Sequence, residues 1–272
     1  MLFDAAASAS CLDNPGFAWG NAMDAADAAT RIRNAMGAVA VLRERAGTAP
    51  HHAAAVAEVK RLQACRFAGT YADLLDSPEF GAASRFFLDE LYGDRDYAQR
   101  DAQFARIAGT LQRTFPEQVA ATAVLLAELH ALTEQLDDAM GTAWLSTPAG
   151  SADPASRYRH AWQTVGQAPQ RREQLQVVLH IGRELARLTR TPGLRLLLKM
   201  MRGPAAAAGM GALQRFLEAG FDTIGTLARN RSALETFLGT IKARESALIA
   251  QLFGDDAVAC ETVLRQALGE AR

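Results

Sequence analysis

The chain has 272 residues, 49% of them hydrophobic and 22% charged, and its formal net charge is −1. This length can bury a substantial core in one large domain or two ordinary ones, and the composition is that of a globular protein. The near-neutral charge offers no overall attraction for nucleic acid, so nucleic acid is not an expected partner. No apolar run approaches the roughly 20 residues of a membrane helix, so we do not expect the chain to span a membrane.

The pattern of apolar residues predicts helices along most of the chain. Alanine and leucine dominate, β-branched and aromatic residues are sparse, and no stretch shows the two-residue alternation or the Asn-Gly turn of a hairpin. We therefore predict an all-α fold, a compact multi-helix bundle of about ten helices. Helical spacing places these helices, in chain order, at 22–45, 53–75, 78–92, 96–115, 117–140, 158–165, 171–188, 194–201, 205–227, 234–253 and 255–268.

The chain ends and the loops predict the domain organisation. Residues 1–20 lack the basic start and apolar core of a secretory signal, and we expect them to form a flexible tail. Residues 21–272 are expected to form a single helical domain, with a candidate subdomain boundary where glycine and proline cluster at 141–154. The three cysteines stand far apart with no Cys-x-x-Cys pair, so they predict neither a zinc site nor a disulfide framework. A reducing cytoplasm is the simplest setting.

The stretch 85–104 carries the densest local pattern. Phe86, Phe87 and Tyr92 lie on one apolar face of a short helix, which glycine ends at Gly93 before a charged helix begins. Two interpretations remain open from spacing alone. The segment is either a packed corner with a salt-bridged rim or the wall of a pocket with a polar mouth.

A family resemblance begins at these residues. This chain resembles an uncharacterised family of proteobacterial proteins with an FFL-x-x-LYG-x-x-D signature at Phe86-Phe87-Leu88, Leu91-Tyr92-Gly93, Asp96, Arg100-Asp101 and Phe104. The resemblance would cover roughly residues 55–253, and it implies a helical structure and a shared site without handing over catalytic residues. Blocks similar to the same family follow at 129–132, 188–192, 201–204 and 216–221.

A metal site is one candidate on the helix predicted at 117–140. His130, Glu134 and Asp138 recur every four residues there, and His180 on a later helix could supply a second imidazole. A histidine with carboxylates on one helical face is the unit from which metal sites in helix bundles are built. The Glu-x-x-His motif of di-metal carboxylate sites is absent, however, so a plain polar helix face explains the same residues.

Charge is distributed unevenly along the chain. Residues 157–202 contain ten Lys or Arg against two acidic residues, whereas residues 70–101 contain eight acidic residues against three arginines. Either these two zones face each other inside the fold, or the basic zone is a surface for an anion, a nucleic acid or an acidic partner. For a nucleic acid we would expect interleaved aromatic residues or a recognition-helix motif, and the sequence shows neither. Arg190, Arg195 and Arg202 flank turns, where an arginine can hold a carboxylate or phosphate while its stem packs against apolar neighbours.

Three classes of function follow from these patterns. The leading hypothesis is a non-catalytic binding protein, in which Phe86, Phe87, Tyr92 and Phe216 with the three arginines hold a small amphipathic or anionic ligand or a partner helix. Core packing alone explains the aromatic residues equally well.

The alternatives are an enzyme that uses His130 and Glu134 around a metal or haem, and a structural oligomer such as a homodimer. The sequence contains no nucleophile elbow, phosphate loop or dinucleotide motif, so no cofactor is identified.

Overall fold

The computed structural model describes residues 25–91, 97–147 and 153–270, and this part of the chain contains helices and no strand. The predicted all-α fold is therefore confirmed. The predicted tail at 1–20, Tyr92 and part of the predicted boundary at 141–154 lie outside the described residues. None of the described helices is both long enough and apolar enough to cross a lipid bilayer. The helices are α1 (Ala25–Thr48), α2 (Pro50–Thr70), α3 (Ala72–Leu75), α4 (Gly81–Leu91), α5 (Ala98–Thr114), α6 (Glu117–Ser146), α7 (Pro154–Val165), α8 (Ala168–Leu188), α9 (Leu194–Met200), α10 (Arg202–Ala207), α11 (Gly211–Leu227), α12 (Arg231–Phe253) and α13 (Ala257–Glu270).

Two helices that the sequence predicts as continuous are each divided in the structure. The helix predicted at 53–75 is interrupted at Tyr71, which separates α2 from the short α3. The helix predicted at 205–227 is interrupted at Gly209, whose φ of 67° is a left-handed conformation that glycine adopts without a Cβ clash. Such short pieces explain why the described residues form thirteen helices instead of about ten.

The central helix α6 is longer than predicted. We expected it to end before Gly141, but it continues to Ser146. A Cβ atom at Gly141 would lie 2.4 Å from Cγ2 of Val56 on α2, so this glycine allows two helices to approach closely and does not end one. Beyond the helix end, Arg157 on α7 donates a hydrogen bond of 2.7 Å to the carbonyl oxygen of Trp144.

Helix α6 lies between two groups of buried apolar side chains. The larger group joins residues from both sides of the predicted boundary at 141–154 and includes Tyr71, Met140 and Phe237. The second group joins α1, α5 and α6, for example through Ile32 and Val124. Because α6 packs on both sides, the polar residues in its middle are enclosed by neighbouring helices, and this enclosure positions the candidate site.

Candidate functional site

A cleft lined by ionisable side chains lies beside α6, enclosed by residues of α2, α4, α5, α8 and α11. The space open to the centres of water molecules is about 60 Å³, which holds several waters or one small polar group. We call it the polar cleft. Its apolar residues are Phe104, Leu126, Leu129, Val178, Leu213 and Phe216, and its polar residues are Lys60, Gln63, Glu90, Tyr97, Arg100, Asp101, His130, Thr133, Glu134, Asp137 and Gln174.

Helix α6 supplies His130, Glu134 and Asp137 to this cleft. Around the axis of an α-helix, two side chains seven residues apart point within about 20° of each other, whereas two side chains eight residues apart differ by about 80°. Asp137 therefore shares the face of His130, and the Asp138 that we predicted there does not. Asp138 Oδ1 lies 2.6 Å from Nε2 of His52, on another side of the helix.

Asp101 of α5 holds His130 from across the cleft. Its Oδ2 lies 2.7 Å from Nε2 of His130 and also accepts a hydrogen bond from Arg43. Burial by itself would raise the pKa of Asp101, but the hydrogen bonds of His130 and Arg43, with the charges of His130 and Arg100, outweigh burial and lower the pKa to about 2. The carboxylate is therefore ionised at neutral pH and fixes the imidazole.

Two further carboxylates of the cleft have their own cations. Glu134 Oε1 lies 2.6 Å from Nζ of Lys60, and Glu90 Oε2 lies 3.2 Å from Nη1 of Arg100. Both pairs are largely shielded from solvent, so each charge is neutralised within the protein.

The remaining carboxyl group, that of Asp137, is different. It is 3% exposed and accepts one hydrogen bond of 2.9 Å at Oδ1, from Nε2 of Gln63. No described residue donates to its Oδ2, and no described cation lies within ion-pair distance of it. Burial raises the pKa of Asp137, although Lys60 and Arg171 oppose this shift with their charges.

An apolar cavity adjoins the polar cleft. It is lined by Phe86 and Phe87 of α4, by α8 residues such as Ile181 and Leu185, and by α11 residues. The rings of Phe86 and Phe216 stack with their centroids 6.0 Å apart. The polar cleft and this apolar cavity share a common wall, which consists of Leu126, Leu129, Val178 and Phe216.

The three predicted arginines lie elsewhere. Arg190 donates to the carbonyl oxygen of Ala228 at 2.8 Å, and Arg195 pairs with Asp222 at 2.7 Å. Arg190 and Arg195 line a shallow groove of about 190 Å³ together with Arg229. We call it the arginine groove. It meets the apolar cavity at Phe221.

Arg202 does not line this groove and instead forms an exposed pair with Glu218 at 2.6 Å. In the acidic zone, Asp73 pairs with Arg244 at 2.7 Å and Asp101 with Arg43. None of these pairs, nor that of Arg195, joins the acidic zone to the basic zone. They give no support to the interpretation in which the two zones face each other.

The predicted metal-binding residues are only partly brought together. His130 and Glu134 share the polar cleft, but His180 lies two residues beyond the cleft residue Val178, about 200° around α8. Within the described ranges, no three His, Cys, Asp or Glu side chains come close enough together to hold a metal ion. Asp101 and Lys60 instead occupy the hydrogen-bonding positions at His130 and Glu134.

Comparison with known proteins identifies a family whose function is unknown. No curated protein and no solved structure matches this chain. The model of a domain of unknown function matches residues 42–259, which extends past the predicted 55–253 at both ends and contains every residue that lines the polar cleft and the apolar cavity. The chain therefore belongs to the family of the domain of unknown function DUF8198.

Proposed function

We propose that this protein binds a small amphipathic molecule, with its apolar part in the apolar cavity and its polar head in the polar cleft. One observation carries the proposal: the two spaces share Leu126, Leu129, Val178 and Phe216 as a common wall. A single molecule that lies along this wall contacts both spaces at once. The leading hypothesis of a binding protein is therefore kept, but the polar end of its site moves from the predicted arginines to α5 and α6.

The chemistry of the two spaces fits such a ligand. The apolar cavity offers phenyl rings and aliphatic side chains, and each methylene group that it buries contributes about 0.8 kcal/mol to binding. The polar cleft offers hydrogen-bonding groups, such as Thr133 and Gln174, that fix the orientation of a head group. Both spaces are small, so a short chain fits better than a long one.

A cavity-filling substitution tests this proposal. We expect 1-octanol to bind the wild-type protein, as measured by isothermal titration calorimetry. Leu185→Phe should weaken this binding about tenfold or more, because the added ring occupies the apolar cavity. The matched control is Leu196→Phe, at an exposed leucine on α9 outside both spaces, which should leave binding unchanged. Equal octanol affinity in the two variants would contradict the proposal.

The arginine groove supports a second candidate function, the binding of an anion. Its lining contains Arg190, Arg195 and Arg229 against the single acidic residue Asp222. Arginine binds carboxylate and phosphate groups in a planar, two-pronged geometry. Inorganic phosphate should therefore bind the wild-type protein and bind less to Arg195→Gln/Arg229→Gln. Arg202→Gln, which removes an arginine outside the groove, should bind phosphate as the wild type does.

A further inference from the structure

We infer that the head group of the amphipathic ligand is uncharged and both donates and accepts hydrogen bonds, as an alcohol does. This inference rests on the proposed function and adds the chemical class of the ligand. It begins from the charges of the polar cleft. Three of its four carboxylates, those of Glu90, Asp101 and Glu134, already have cationic partners inside the protein.

An anionic head group would find no free counter-charge in this cleft. A carboxylate would have to displace Glu134 from Lys60 or Glu90 from Arg100. An ammonium group would meet three carboxylates that are already neutralised and a fourth carboxyl group, Asp137, whose burial favours the uncharged acid. Burying a charge without a partner is strongly unfavourable, so the cleft discriminates against both kinds of ion.

An uncharged hydroxyl group finds partners in the same place. Gln174 donates through Nε2 to the hydroxyl of Thr133 at 2.8 Å, and its Oε1 receives no hydrogen bond from the described residues. This oxygen can accept a hydrogen bond from a ligand hydroxyl. Asp137 offers the complementary group, because its Oδ2 carries no hydrogen bond from the described residues and the side chain is almost fully buried against the cleft.

The protonation state of Asp137 decides whether it donates to the ligand. Burial raises the pKa of Asp137, which favours the neutral acid with a proton to donate. The charged or titratable groups that face it are Lys60 on α2, Glu134 on α6, Tyr158 on α7 and Arg171 on α8. Lys60 is neutralised by Glu134, and the guanidinium of Arg171 lies 4.0 Å from the ring centroid of Trp162.

The sign of the pH dependence follows from this arrangement. When Asp137 is protonated, it donates to the ligand oxygen and octanol binds. As the pH rises through its pKa, Asp137 loses its proton, and its Oδ2 and Gln174 Oε1 are then two acceptors for the single hydroxyl proton of octanol. One of the two hydrogen bonds is lost, and octanol affinity falls. Asp137→Asn replaces the acid by a neutral amide that also donates, so this variant should bind octanol without the decline at high pH.

The test compares three probes with the same eight-carbon alkyl chain, 1-octanol, octylamine and octanoate, by calorimetry at pH 7. The octanol titration is repeated between pH 4 and pH 10. We expect octanol to bind about tenfold more tightly than either ion. We also expect the decline at high pH to disappear in Asp137→Asn. The matched control Asp222→Asn, at an exposed ion pair with Arg195, should keep the decline.

The outcomes separate this inference from the proposed function. Suppose that Leu185→Phe weakens the binding of octanol, and that octylamine or octanoate binds more tightly than octanol and is weakened by the same variant. The head group is then charged, so the inference is wrong while the proposed function stands. Octanol binding that is identical in Asp137→Asn and the wild type at every pH also overturns it. If no probe binds in a manner sensitive to Leu185→Phe, both are wrong. Octanoate binding that is lost only in Arg195→Gln/Arg229→Gln belongs to the arginine groove and does not count against the inference.

Discussion

The polar cleft and the arginine groove are built from similar ionisable side chains, but they differ in burial. Asp101 and Asp137 in the cleft are 4% and 3% exposed, whereas the side chain of Arg195 in the groove is 54% exposed. Buried charges must be neutralised within the protein, and those of the cleft largely are. Exposed charges are solvated by water and remain available to an incoming ion. A cluster of charges along a sequence therefore indicates a binding surface only if the structure shows that those charges are exposed.

The largest expected effect comes from breaking a buried pair behind the cleft. Arg66 Nη1 bonds to Glu245, both residues are less than a tenth exposed, and the hydroxyl of Tyr71 donates to the same carboxylate at 2.9 Å. Arg66→Met leaves the Glu245 carboxylate without this cation and should lower the free energy of unfolding by about 3–5 kcal/mol, as measured by urea denaturation.

The double variant Arg66→Met/Glu245→Leu serves as the control for this prediction. Because it removes both charges, it should recover much of the lost stability. A single variant as stable as the wild type would show that this pair is solvated, as the Arg195–Asp222 pair of the arginine groove is.

A smaller effect is expected from the pH dependence of Asp101. Its pKa of about 2 lies below the ordinary aspartate pKa of 3.8, which corresponds to about 2 kcal/mol of stability. Because the folded-state pKa is lowered, this contribution is present above about pH 4 and is lost as the pH falls towards 2. Urea denaturation should therefore show Asp101→Asn less stable than the wild type at pH 6, with a smaller difference at pH 3. A difference that stays constant with pH would contradict the assignment.

The smallest effect is expected in the arginine groove. Arg195→Gln removes an exposed pair with Asp222, so the free energy of unfolding should change by less than about 1 kcal/mol. The effect should shrink further in 1 M NaCl, because salt screens exposed charges. A loss as large as that expected for Arg66→Met, measured in the same urea denaturation, would remove the distinction between the two regions.

Helix positions were predicted well because they depend on near neighbours. The end of α5 before Phe115 and Pro116 and the start of α6 at Glu117 follow from local propensity and proline geometry. Two of the errors arose at glycines, since this residue type either interrupts a helix or allows two helices to approach closely. Gly209 interrupts a helix by adopting a positive φ, whereas Gly141 lies inside one and allows Val56 to approach.

The candidate site was predicted in part. His130 and Glu134 were identified on one helical face, and Phe86, Phe87 and Phe216 were assigned to a ligand pocket whose apolar lining they do contribute. Asp137 could have been preferred to Asp138 from helical geometry, because a seven-residue separation keeps the face of His130 better than eight. Asp101 belongs to the run that carries the family resemblance, but nothing in the sequence indicated that Lys60 or Gln174 would complete the cleft.

By itself, the sequence determined the all-α class, most helix limits and the apolar and polar faces of α6, because these depend on residues within a few turns of one another. Only the tertiary structure decided which charges are paired. Lys60 meets Glu134 across 74 residues and Asp101 meets His130 across 29. Such contacts depend on how helices pack, and packing determines burial. Burial in turn decides whether a charge stays available to a ligand or is neutralised within the protein.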